Sequence, residues 1–164
     1  MAAGTYLDLV SGTITRKTSV EASAGAADEG KLVALNASGQ IDGTMLAGGV
    51  FTANVGTGPV ANGDLVYITP AGLVEPAVAT AAASLAMGYC LVGAASPNPV
   101  TVYFSGENTA VSALSPGVPY YLSATTAGAV TSTPPATPTN YVQAVGFTLS
   151  ATDLHFAPTV AVVV

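Results

Sequence analysis

From Leu32 to Val164 the sequence contains neither lysine nor arginine; Arg16, Lys17 and Lys31 are the only three such residues in 164. A phosphate backbone is bound by neutralising its charges with these side chains, so a nucleic-acid interface is excluded. An anionic lipid surface is excluded for the same reason. Charge of both signs is sparse: Asp, Glu, Lys and Arg make up 7% of the chain, against roughly a quarter in ordinary domains. Such a surface is solvated by Ser, Thr, Asn and backbone, or it is hidden in an assembly. Histidine and cysteine occur once each, as His155 and Cys90. That excludes a histidine-ligated metal cluster and an internal disulfide, and it suits a reducing compartment. Tryptophan is absent, which removes the best platform for a sugar ring; Tyr6, Tyr121 and Tyr141 are too scattered to replace it.

What remains is rich in Gly, Pro, Val and Thr, with much Ala. This composition predicts short strands and tight turns, an all-β chain long enough to bury one core. Residues 76–95 carry no charge, but Thr80, Ser84, Gly88 and Tyr89 interrupt an Ala-based run too weak to span a membrane. The stretch reads as a loop entering a strand, with one helical turn at 80–85. Met1–Tyr6 has neither the basic start nor the apolar centre of a secretion signal. The expected site of synthesis is therefore the cytoplasm.

The chain also repeats itself. Gly63-Asp-Leu-Val-Tyr-Ile-Thr-Pro-Ala-Gly-Leu-Val is echoed by Gly117-Val-Pro-Tyr-Tyr-Leu-Ser-Ala-Thr-Thr-Ala-Gly-Ala-Val. Ala86-Met-Gly-Tyr-Cys-Leu-Val is echoed by Ala144-Val-Gly-Phe-Thr-Leu-Ser, and Val102-Tyr-Phe by Leu154-His-Phe. The offsets are 54 for Gly63 and Gly117, 58 for Gly88 and Gly146, and 52 for Phe104 and Phe156. A spacing that drifts only at turns predicts two similar β-units, about 59–104 and 114–158, in a domain over 51–164. They are expected to form a compact β-barrel or β-sandwich. Leu65-Val-Tyr-Ile is too apolar to alternate, which predicts cover on both of its faces. Of the adjacent Tyr120 and Tyr121, one must point inward and the other outward. The bare β-branched tail Val160–Val164 must complete a sheet or pair with a neighbouring subunit, since an exposed edge of this kind invites aggregation.

Residues 1–27 read as an extended amino-terminal arm, with a small-residue hinge at 22–27 and few large side chains to bury. Residues 28–50 join it to the domain: a short apolar strand from Asp28, a turn at 37–40, and a helical turn with Asp42 as cap. Lys31-Leu-Val-Ala-Leu-Asn-Ala-Ser-Gly-Gln-Ile-Asp-Gly-Thr-Met-Leu resembles a phrase common in tailed-bacteriophage structural proteins. Followed in order by Gly63-Asp-Leu-Val-Tyr-Ile, Gly117-Val-Pro-Tyr-Tyr-Leu-Ser and Tyr141-Val-Gln-Ala-Val-Gly-Phe-Thr-Leu-Ser-Ala-Thr-Asp-Leu, it resembles the capsid decoration, or cement, proteins. The likeness runs from about Asp28 to Pro158.

The resemblance implies a virion structural protein on the outer capsid surface, a homotrimer that bridges neighbouring capsomers of the major capsid protein. A tail-fibre or receptor-binding component is the alternative, since the 31–46 phrase occurs there too. On a capsid, Tyr6, Leu7, Leu9, Val10 and Ile14 of the arm would settle into grooves or extend a sheet, and Arg16 and Lys17 would meet acidic groups. No catalysis and no cofactor or metal are expected. His155 takes the place of Tyr103 in the repeat and reads as a strand residue, and no nucleophile elbow accompanies it. Gly56-Thr-Gly-Pro lacks the Lys of a phosphate loop, and Asn62-Gly-Asp is a turn short of the oxygens that calcium needs.

Overall fold

The computed structural model of the chain describes residues 4–10, 13–21, 31–35, 41 and 49–164. Two compact units divide it, Met1–Gly48 and Gly49–Val164. In the first, the stretch read as an extended arm folds back on itself: β1 (Thr5–Val10) pairs antiparallel with β2 (Thr13–Thr18). Thr and β-branched residues at alternate positions favour such a ribbon. Past β2, Val20 makes a parallel bridge with Val33, which among the described residues is what forms of the strand expected from Asp28. The hinge at 22–27, the turn at 37–40 and the Asp42 cap lie outside the described residues.

The second unit is built from antiparallel strands. β3 (Val50–Asn54), β4 (Leu65–Ile68), β5 (Val74–Pro76), β6 (Gly88–Tyr89) and β7 (Pro99–Tyr103) form one sheet, ordered β3-β7-β6-β4-β5. The turn expected at 80–85 is a short 3-10 helix, Ala82–Ser84. β8 (Gly106–Asn108), β9 (Pro119–Leu122) and β10 (Val130–Thr131) join β12 (Ala144–Thr148) and β13 (Leu154–Phe156) in a second sheet, ordered β8-β13-β12-β9-β10. Between β10 and β12 runs β11 (Tyr141–Val142), which pairs with the tail strand β14 (Val162–Val163). The tail thus finds its partner within the chain. Among the described residues there is no α-helix.

The two sheets have the same strand order, each taking in one strand ahead of the expected unit boundary. Their registers agree as well. Val66 lies opposite Gly88 as Tyr120 lies opposite Gly146. Tyr89 lies opposite Tyr103 as Phe147 lies opposite His155. Gly146 shows why glycine stands at this position: its φ is +146°, and a Cβ there would sit 1.8 Å from the His155 carbonyl oxygen. At Gly88 the added carbon would sit 2.7 Å from the Tyr103 carbonyl oxygen.

Leu65 and Val66 are fully buried but enter different cores. Leu65, Tyr89, Tyr120, Leu122, Leu154 and Phe156 share the core between the sheets. Val66, Val74, Cys90, Val100 and Val102 pack on the opposite face of the first sheet, covered by Val55 and Val60. The first sheet is therefore apolar on both sides, which is why its β4 does not alternate. Tyr120 is buried and Tyr121 half-buried, as adjacent strand positions require.

Polar groups also tie the halves together. The buried Gln143 side chain accepts the Ala86 N–H at 2.9 Å and donates to the Ala86 carbonyl at 2.9 Å. Buried Asn108 donates to the Gly63 carbonyl at 2.8 Å and accepts the Ala110 N–H at 3.2 Å. Main-chain bonds run alongside, from Leu65 N–H to the Gly128 carbonyl and from Ala79 N–H to the Ser123 carbonyl.

Replacing Gln143 by Leu leaves both Ala86 groups without partners in a buried site. We expect a loss of about 2–4 kcal/mol, read from the urea midpoint at unchanged slope.

Burial pushes the Cys90 thiol from an ordinary 9.0 up to about 12, with Asp64 adding to it. Burial likewise raises Tyr89 from 10.0 to about 12, helped by Tyr103 and Glu107. Above about pH 9 the unfolded chain therefore releases protons that the folded chain keeps. Stability is full at neutral pH and should decline as pH rises through 9 towards 12. A melting temperature that is flat across that window would contradict this, as would a Cys90 that alkylates at pH 8 as fast as in denaturant.

Candidate interaction surface

The hairpin brings together the arm residues singled out from the sequence, but sorts them by register. Leu7 lies opposite Arg16, Leu9 opposite Ile14, Tyr6 opposite Lys17, and Val10 opposite Thr13. Successive residues of a strand alternate in face, so Leu7 and Arg16 share one side and Tyr6 and Lys17 the other. Leu7 and Ile14 are each 69% exposed, and Arg16 is exposed beside them. Apolar side chains this open gain little where they stand. Burying either against a partner would contribute about 1.5–3 kcal/mol.

The second cation of the pair is differently placed. Lys17 Nζ lies 2.7 Å from Asp8 Oδ2, and this hydrogen bond raises the lysine pKa. Tyr6 is also engaged, accepting the Leu32 N–H through its hydroxyl at 3.1 Å. The arm therefore presents Leu7, Ile14 and Arg16 outward, while Tyr6, Asp8 and Lys17 hold it together. Sequence reading grouped Arg16 with Lys17 because they are adjacent. Only the register shows that Asp8 comes within reach of one and not the other.

The remaining candidates are dispersed. His155 sits on β13, its ring 5.1 Å from that of Phe147. Asp153 accepts a hydrogen bond from the Ser150 hydroxyl in the turn before β13. Cys90 lies in the core beneath the first sheet. Among the described residues no three His, Cys, Asp or Glu side chains gather as metal ligands would. A cleft of about 480 Å³ opens where the two sheets are joined, lined by Asn62, Asp64, Ser112, Tyr120 and Thr131 among others. Asp64 is half-buried there; burial raises its pKa, opposed by the Ala61 N–H it accepts at 2.8 Å. Its carboxylate also occupies the space that a Cβ on Gly128 would need, so it packs the two turns together. No single run of sequence marks this cleft, because separate segments line it.

Compared with known proteins, the chain matches no family model, no curated protein and no solved structure.

Lys17→Ala removes the Asp8 pair from a solvent-exposed ribbon. Its effect on the melting temperature should be small. A larger loss by thermal scanning would mean that the pair organises the hairpin.

Proposed function

We propose that the protein is a bacteriophage capsid decoration protein. It binds the major capsid protein on the outer surface of the virion and stabilises the lattice by bridging neighbouring capsomers. The observation that carries this reading is the order of motifs from Lys31 to Leu154, which resembles that of cement proteins. It works by binding, without catalysis. A ligand of the assembled lattice alone stabilises that lattice by mass action. Low charge suits broad contacts with few ionic groups to desolvate. A homotrimer would add avidity, each hairpin raising the effective concentration of the others at the capsid. The 31–46 phrase also favours a second reading, a tail-fibre component. The two differ in location: a decoration protein occurs in many copies over the head, a fibre in few at the tail.

The hairpin supplies the contact in this reading. Leu7 and Ile14 would enter apolar grooves, and Arg16 would meet acidic groups. Deleting residues 1–27 should leave the unfolding of the Gly49–Val164 unit nearly unchanged and abolish attachment to particles. Arg16→Ala should weaken attachment more at low salt than at high salt, where screening already suppresses its contribution. Full decoration by the truncated protein, scored by co-sedimentation with undecorated heads, would move the contact surface to the β domain.

A further inference from the structure

The two larger sheets end in β3 and β5, and in β8 and β10, and all but one of these edges are guarded. β8 and β10 are three and two residues long, and β8 carries Glu107. β5 is bridged by Val55, with the Gly56 N–H donating to the Val74 carbonyl at 2.9 Å. Short length, charge and cover are the usual means of stopping a sheet from growing. β3 uses none of them: it is five residues long, uncharged, and exposed at every position but Ala53. Among the described residues nothing pairs with its outer edge.

The ladder with β7 decides which main-chain groups that edge offers. The Gly49 carbonyl accepts the Phe104 N–H at 2.7 Å, and the Val55 N–H donates to the Asn98 carbonyl at 3.0 Å. Hydrogen-bonded pairs alternate along an antiparallel ladder, so Phe51 and Ala53 also turn their groups towards β7. Val50, Thr52 and Asn54 turn theirs outward, each with an N–H and a carbonyl to satisfy. A second β3, running antiparallel across a two-fold axis at Thr52, satisfies them all. Thr52 then lies opposite its own copy, and Val50 opposite Asn54.

The side chains agree with that register. Phe51 falls opposite Ala53 of the second copy, large against small. Thr52 already meets Thr101, hydroxyl to hydroxyl at 3.3 Å, and a threonine pair at the axis extends that row. Phe51 and Ala53 lie opposite Val102 and Val100, on the face of the core that holds Cys90. Ala53 packs on that core, but Phe51 at its margin is 40% exposed. Pairing brings the margins of two such cores together and covers both rings. Charge permits it as well, since a chain of net charge −6 repels its copy wherever carboxylates meet. None lies between Asp42 and Asp64 or between Glu75 and Glu107, the stretches that hold β3 and β7.

We propose that the outer edge of β3 docks the same edge of a second copy of this chain, by antiparallel strand pairing about a two-fold axis at Thr52. The contact is self-complementary and closes at two copies. It does not build the trimer of the capsid reading, and it does not rest on that reading. Five residues a side make a small interface, so a dissociation constant of about 10–100 µM is expected.

The test is amide hydrogen exchange by NMR on the full chain, with sedimentation velocity alongside, from about 10 µM to about 1 mM. Exchange at Val50, Thr52 and Asn54 should slow by about fivefold over that range, while Phe51 and Ala53 stay protected throughout. The sedimentation coefficient should rise from that of a monomer to that of a dimer. Thr52→Pro removes an N–H that faces solvent in the monomer, a position where a sheet edge accepts proline. It should abolish both changes with the fold intact. If Thr52→Pro fails to fold, Thr52→Lys sets two like charges face to face at the axis and should abolish them as well. A wild type that stays monomeric overturns the proposal, and so does a folded variant that associates like the wild type. A dimer whose Val50, Thr52 and Asn54 amides exchange as fast as in the monomer overturns it too. So does protection of those amides in the monomer, because the chain then covers this edge itself.

Discussion

The contact of Tyr89 with Phe156, ring edge against ring face, marks the seam on which the rest of the second unit depends. It belongs to a core drawn from both sheets, and neither sheet could leave its share of that core in water. One consequence is asymmetric. The central strands of the first sheet lie between the second sheet and the loop carrying Val55 and Val60, so β4 must be apolar on both faces, while the edge strand β3 stays largely exposed. The second sheet is covered on one. Leu65 and Val66 are both fully buried, whereas Pro119, in the register of Leu65, is exposed. The same strand order is thus built from sequences of different pattern, because burial and not topology sets the pattern.

A chain with so little charge must join its halves by other means. Gln143 and Asn108 do this with neutral amides, each offering a donor and an acceptor from one planar group. Gln143 reaches Ala86 as a neighbouring strand would, satisfying an N–H and a carbonyl that would otherwise be stranded beside the core. A salt bridge there would require desolvating two ions, and its net gain would be small or negative. Amides avoid that cost and still fix the geometry, since only one placement of the side chain satisfies both groups of Ala86.

Much of the β domain was legible because its signals are local. Gly72 and Gly128, the shared Ala-Gly of the two turns, have φ of +77° and +78°, a conformation that glycine announces in sequence. The unbroken apolar run of β4 announced cover on both faces, and the Val-rich tail announced a pairing. What stayed hidden depends on distant partners. Tyr89 and Phe147 are interchangeable as strand aromatics, and nothing near either one says that the first is buried and the second exposed. The role of Gln143 is invisible until Ala86 is placed beside it. The arm was read as a single extended run because strand propensity was recognised, but not that Thr5–Val10 and Thr13–Thr18 would satisfy each other's backbone groups.

That pairing changes the physics of the proposed attachment. An unpaired arm would bring free backbone groups to a capsid edge and lose much conformational entropy on ordering. A hairpin has already ordered its backbone and satisfied half of its strand groups internally. Its outer edges can still extend a sheet, and Leu7 and Ile14 still need cover. The electrostatic share is smaller than the sequence suggested, since Asp8 already neutralises Lys17. Exposed ion pairs contribute at most about 1 kcal/mol each, so Arg16 alone orients the hairpin more than it anchors it. Apolar burial and strand pairing are then left as the terms large enough to hold it, and both act fully only when several copies bind at once.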